Sequence, residues 1–336
     1  MISVNGRTYA IPDRPVVGVC LDGCSQEYLD AAREVMPNLQ AIQRDGQFGL
    51  VNTVIPSYTN PNNVAIVTGT PPAVNGMSGN YYYDMDGDKE VMMNDPSFLR
   101  APTILGAFDD AGHSVAAITT KDKLRLLLGS GLDNGICFSV ECAQEATDEK
   151  NGIADVCGLV GRQNPGIYDP EASVFCLETG VRLLEEHEVR LMYLSTTDFV
   201  QHKYEPGSPE ANQFYARLDR FLGALHALDI VLGITADHGM NAKAKPDGTP
   251  KVEFLESLLE DRGIARPRVI LPITDPYVVH HGSLGSYAAV HVDESEIARA
   301  ADLLEEVAGV ELVLTREEAA SRFELPPDRI GDLVVL

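Results

Sequence analysis

Asp198 and His202 stand four residues apart in TTDFVQH, and Asp237 and His238 stand side by side in TADHGM. A carboxylate and an imidazole at positions i and i+4 lie on one side of a helical turn, where both can reach one ion. The adjacent pair can do the same only past the end of a strand, because neighbouring strand side chains point to opposite faces. Gly239 is read as the residue that frees the backbone for that turn. Asp22, in LDG, adds another carboxylate. Oxygen and nitrogen donors of this kind suit zinc or a related transition metal. Taken singly, each of the five is an ordinary turn or capping residue; their shared placement at strand ends is what argues for a metal site.

The stretch YTNPNN offers a different chemistry. Thr59 leads into Asn60-Pro61-Asn62-Asn63, with Asn62 or Asn63 near the cap of a predicted helix. A helix start presents backbone N–H groups and a partial positive charge. A threonine hydroxyl held there beside a metal loses its proton more readily and becomes a candidate nucleophile. In TTKDKLRLLLG, Lys121 and Lys123 follow a predicted strand and so fall at the same edge. Alone they read as solvated loop lysines, but in a strongly acidic chain they are the local cations that an anionic substrate needs.

The elements that must hold these residues follow from hydrophobic periodicity. Pro15–Leu21 reads as a strand, followed by a helix from an N-cap at Ser25 to about Gln43. Helical Thr103–Asp110 leads into a strand at His113–Thr120. Glu171–Glu188 leads in the same way into Arg190–Thr197, and Glu210–Leu228 into Asp229–Gly239. Helices alternating with nearly continuous apolar strands indicate a mostly parallel sheet covered on both faces, an α/β doubly wound fold. Ligands in that architecture gather at the carboxyl ends of strands, where Asp22, Asp198 and Asp237 fall. The polar segment Asn241–Lys251 reads as a linker. The chain is therefore divided into a metal-binding catalytic core (1–245), a smaller α+β cap insertion (246–325) and a strand returning to the core (326–336).

Composition narrows the partners. With a formal net charge of -24, the surface repels nucleic acid and anionic membranes. No apolar run approaches the ~18 residues of a membrane span. The N-terminal stretch holds no signal-like apolar core, so a cytoplasmic protein is expected. Six cysteines without a CxxC pair read as reduced small hydrophobes. A homo-oligomer is left open. His113, His187 and His226 read as structural or exposed, and His280, His281 and His291 as residues of the insertion that could line a cleft.

The order Asp22, Thr59 in TNPNN with VTGTPPAVNGMSGN, Asp198-xxx-His202 and ADHGM resembles the alkaline phosphatase superfamily. Its nucleotide pyrophosphatase/phosphodiesterase branch and the phosphonoacetate hydrolases are nearest, over roughly residues 15 to 240. The resemblance implies two zinc ions, one held by Asp22, Thr59, Asp237 and His238, the other by Asp198 and His202 with a third ligand. It implies that Thr59 attacks the phosphorus and that Asn80, closing GMSGN, holds a phosphonyl oxygen. TKDKLR resembles the lysine pair that grips the substrate carboxylate in phosphonoacetate hydrolases. A small anionic phosphonate is the implied substrate, cleaved at its carbon–phosphorus bond to acetate and phosphate.

The resemblance also implies a histidine near the C-terminus, in a Ser-His-Gly-Gly-like stretch, as third ligand beside Asp198 and His202. No histidine follows His291, so a shortened chain with an incomplete second site is expected. The alternatives are a phosphodiesterase or nucleotide pyrophosphatase on the same scaffold, and an inactive metal-binding remnant.

Overall fold

A computed structural model describes residues 1–273 and 285–336; His280 and His281 lie outside the described residues. The chain forms two compact units. The first comprises Met1–Asn52, Ile66–Gly69 and Pro102–Met240, and the second Thr53–Ala65, Thr70–Ala101 and Asn241–Leu336.

The first unit is built on five strands: β1 (Val16–Cys20), β2 (Val115–Thr119), β3 (Ile136–Ser139), β4 (Leu191–Ser195) and β5 (Val231–Thr235). They run parallel in the order β3-β2-β4-β1-β5. Alternation sorts their side chains onto two cores. Val17, Val19, Ala116, Ile118, Met192 and Leu194 face helices Glu171–Glu186 and Pro209–His226. Val115, Ala117 and Tyr193 face helices Ile104–Asp110 and Asp122–Leu128. Burial on both faces explains the near-continuous apolar runs. The five-stranded sheet thus bears out the α/β expectation. β5 departs from it in one respect: it pairs only with β1 among the described residues, and Val231 at this edge is 45% exposed.

The structure differs from the sequence reading in three respects. The helix expected from Ser25 to Gln43 is broken into Gln26–Ala31, a short 3₁₀ turn at Arg33–Val35 and Pro37–Asp45. Pro37 is the reason: its ring disfavours helical backbone at Met36, which stands at φ -119°, ψ 58°. Residues 53–65 and 70–101 belong with the second unit rather than with the core.

The third difference concerns the last strand, which does not return to the core sheet. The second unit holds an antiparallel sheet of β6 (Arg268–Ile270), β7 (Ala288–His291), β8 (Val313–Thr315) and β9 (Leu333–Val335), in the order β6-β7-β9-β8. β9 lies between β7 and β8, with Leu333 and Val335 in one apolar cluster and Val334 in another. A strand buried on both faces shows the same unbroken apolar run in either kind of sheet, so periodicity alone assigned it wrongly. All six cysteines are free.

Candidate active site

Register explains how distant residues converge. In the parallel ladder Cys20 pairs with Ser195 and with Thr235, and Thr119 pairs with Ser195. Four strands therefore end at one level. The chain leaves them through Leu21-Asp22, Thr120-Lys121, Thr196-Thr197-Asp198 and Ala236-Asp237-His238. A carboxylate or an ammonium appears two or three residues past each end, beyond the strict alternation of the strand.

Asp22 is 1% exposed and Asp237 fully buried. Asp22 Oδ1 stands 3.2 Å from His238 Nε2, and Asp22 Oδ2 stands 3.1 Å from Lys121 Nζ. The same ammonium donates to Asp198 Oδ1 at 3.0 Å. Asp198 Oδ2 lies 2.8 Å from His202 Nε2. The His202 backbone N–H donates to the Asp198 carbonyl at 3.1 Å, which closes the helical turn expected from their spacing. Asp237 Oδ1 accepts from the N–H groups of Gly23 at 3.1 Å and His238 at 3.0 Å. The structure thus brings Asp22, Asp198, His202, Asp237, His238 and Lys121 into one charged cluster.

Two glycines permit this crowding. Gly23 has φ +69°, and a Cβ there would meet Asp198 Cβ at 2.9 Å, so only glycine fits on both counts. Gly239 is not in the left-handed region; a Cβ on it would meet Ser25 Cβ at 3.1 Å. Close approach is thus its structural reason, where the sequence suggested a turn. Thr196 was not singled out from sequence, yet its hydroxyl accepts the Asp22 N–H at 2.9 Å. Its place within TTDFVQH, two residues before Asp198, is the signal that could have found it.

Crowding shifts the ionisation of these groups. Burial, then the neighbouring Asp22 charge, pushes the Asp237 carboxyl up to about 7. Burial opposes protonation of His238, but Asp237 and Asp22 outweigh it and raise the imidazole to about 10. Burial likewise works against ionised Asp198, yet Lys121 and His202 hold it well below the usual carboxylate range. A buried carboxylate left partly uncompensated by its neighbours is a group that more positive charge would stabilise.

The donor set fits a divalent ion. One donor atom each from Asp22, Asp198 and His238 lies within 4.8 Å of the others. His238 Nδ1 donates to the Gly239 carbonyl at 2.9 Å, which turns Nε2 towards Asp22; an ion bound there would take the place of the Nε2 proton. Metal-bound histidines are oriented by this type of backbone hydrogen bond. Oxygen and nitrogen donors are those zinc accepts.

Lys123 is exposed on the first turn of helix Asp122–Leu128. In the second unit, Thr59 is the first residue of helix Thr59–Thr68, so the helix starts before the expected cap at Asn62 or Asn63. Asn62 is not its cap but a brace: its Oδ1 accepts the Val54 N–H at 2.9 Å and its Nδ2 donates to the Tyr58 carbonyl at 3.0 Å. Asn63 Nδ2 donates to the Thr59 carbonyl at 2.9 Å. Asn80 is fixed by its backbone N–H to Pro272 O at 2.6 Å, and its Nδ2 donates to Ile273 O at 3.2 Å. His291 lies in β7 and is 7% exposed.

Comparison with known proteins follows the same lines. The family described as type I phosphodiesterase / nucleotide pyrophosphatase matches residues 16–336. Two crystal structures of phosphonoacetate hydrolase from Sinorhizobium meliloti 1021, in complex with phosphonoformate and with phosphonoacetate, are 51% identical to this chain, with a TM-score of 0.95. Each match covers 100% of this chain and 83% of the other. Murine ectonucleotide pyrophosphatase / phosphodiesterase 5 is 19% identical, with a TM-score of 0.63 over 96% of this chain and 78% of its own, and shares the fold.

Proposed function

The chain belongs to the type I phosphodiesterase / nucleotide pyrophosphatase family, and from that premise we propose that it hydrolyses the carbon–phosphorus bond of phosphonoacetate to acetate and phosphate. The observation that carries this is the 51% identity, over the whole of this chain, to phosphonoacetate hydrolases in complex with phosphonoacetate and phosphonoformate. The lysine pair in TKDKLR, with an acidic surface that otherwise repels anions, agrees with it.

In this reading Asp22, Thr59, Asp237 and His238 would hold one zinc ion, and Asp198 and His202 would contribute to a second. When bound, the ions lower the pKa of the threonine hydroxyl and neutralise charge on the phosphonyl oxygens. Thr59 Oγ attacks phosphorus in line with the carbon–phosphorus bond, whose electron pair leaves with the methylene carbon. The departing carbanion delocalises into its carboxylate and takes up a proton to become acetate. Lys121 and Lys123 bind that carboxylate, where negative charge grows in the transition state. Asn80 holds a phosphonyl oxygen. Water then attacks the phospho-threonine, releasing phosphate and restoring Thr59. The roles of Thr59 and Asn80 rest on the sequence pattern.

Six free thiols favour a reducing compartment, which supports the cytoplasm. No helix among the described residues is long and apolar enough to cross a membrane.

The test supplies zinc and follows acetate release from phosphonoacetate beside hydrolysis of an aryl phosphodiester. Acetate release is expected to dominate. Thr59→Ala should abolish both reactions. Lys123→Ala should raise KM for phosphonoacetate ~10-fold or more, the loss of a charge-assisted contact, and leave the diester unchanged. Diester hydrolysis without acetate release would assign the chain to the phosphodiesterases.

A further inference from the structure

The residue between the ligands in Asp198-Phe199-Val200-Gln201-His202 has no role in the chemistry above, yet it is buried to 6% exposure. A buried carboxamide costs free energy unless its polar atoms are bonded. Gln201 Nε2 donates to the Asp22 carbonyl at 3.1 Å and to Tyr215 Oη at 2.9 Å, while its buried Oε1 has no partner among the described residues. Tyr215 is fully buried on helix Pro209–His226, a rigid anchor. At the other end of the residue, the Gln201 carbonyl accepts from Tyr28 Oη at 3.3 Å. The side chain also covers Gly23: a Cβ there would lie 3.7 Å from both Gln201 Cβ and Cγ.

Set beside the Thr196 bond, this makes a two-sided grip on one ligand. The Asp22 N–H is held by Thr196 Oγ1 and the Asp22 carbonyl by Gln201 Nε2. Both arms come from the segment that carries Asp198 and His202. We propose that Gln201 is a positioning residue that sets the separation between the Asp22 and Asp198 carboxylates, and hence the affinity of the cluster for a divalent ion. This rests on the two-ion reading of the site. The logic is that of partners outside the ligand set, whose loss weakens metal binding ~10- to 100-fold because the ligands are no longer held in place.

Gln201→Met keeps length and volume but cannot donate. Its Zn²⁺ affinity, measured by competition with a chromophoric chelator, should fall ~10-fold or more. A role in stability alone would lower the melting temperature of the metal-free protein and leave Zn²⁺ affinity within about 2-fold of wild type, which would overturn the proposal. So would failure of the wild-type chain to bind Zn²⁺. Tyr215→Phe, which removes the anchor but not the donor, serves if Gln201→Met does not fold. A loss of Zn²⁺ affinity in the folded variant supports positioning, and an unchanged affinity refutes it. Acetate release by the wild-type enzyme is measured separately. A chain whose Zn²⁺ affinity depends on Gln201 but which does not cleave phosphonoacetate would retain the positioning role and lose the substrate assignment.

Discussion

At the residue scale, the most informative side chain is Lys121, because one ammonium serves two buried carboxylates. Removing one partner of a buried pair leaves the others uncompensated, at ~3–5 kcal/mol in full burial. The Lys121 side chain is 30% exposed, so a smaller cost of about 2 kcal/mol is expected for Lys121→Ala in the metal-free protein. Zn²⁺ should restore much of it by replacing the lost positive charge. Thermal melts with and without the ion check this, and a loss of stability that Zn²⁺ does not repair would contradict it. His291 offers a test independent of the metal. Burial lowers its pKa from 6.5 to about 4, with the Asp332 charge opposing and Arg316 and Arg268 assisting. A depressed histidine favours the neutral form in the folded state, so its contribution is full above ~6.5 and lost as pH falls towards 4. At pH 5 the loss should be about 2 kcal/mol, from ~1.4 kcal/mol per unit. Urea unfolding at pH 7 and pH 5 should show this in wild type and not in His291→Phe.

At the scale of elements, the loop after β1 is the most constrained piece of the first unit. Gly23→Ala would force a left-handed alanine and set its Cβ 2.9 Å from that of Asp198. Left-handed strain costs ~1–2 kcal/mol before the clash is added. Melting temperature and Zn²⁺ affinity should therefore fall together, and an unchanged affinity would mean that the loop can shift without disturbing the ligands. Much of this was legible in advance. Asp22, Asp198 and Asp237 betray themselves because an apolar run that stops at an acidic residue marks a strand end, and a parallel sheet places such ends side by side. The partner of Lys121 was not legible: periodicity puts its backbone at the edge but says nothing of whether the ammonium faces a ligand or the carboxylates beside it. Nor was the position of β9, since an apolar triplet buried on both faces suits either sheet. Gln201 escaped notice because a glutamine in a turn is ordinary until its acceptors are known.

For the whole molecule, the dominant fact is a net charge of -24. Self-repulsion of that size works against compactness and is screened by ions at roughly the Debye length, ~10 Å at 0.1 M and ~3 Å at 1 M. Exposed ion pairs such as Arg14–Asp229 contribute little, so screening should relieve more repulsion than it removes attraction. The melting temperature should accordingly rise by about 3 °C or more between low salt and ~1 M KCl; a fall would show that attractive pairs outweigh the net charge.

The in-register ends of the five strands also divide the molecule into an edge that evolution must guard and one it can rewrite. Every acidic, imidazole and ammonium group of the first unit's cluster departs from the carboxyl side of the sheet. The opposite side receives the chain through the short connections before Val16, Val115, Leu191 and Val231, which hold none of those groups. New termini, affinity tags or a fused domain introduced there, for instance between Leu228 and Asp229, would enter at the sheet's other rim. The same graft at Leu21 or Ala236 would sever a ligand from its strand.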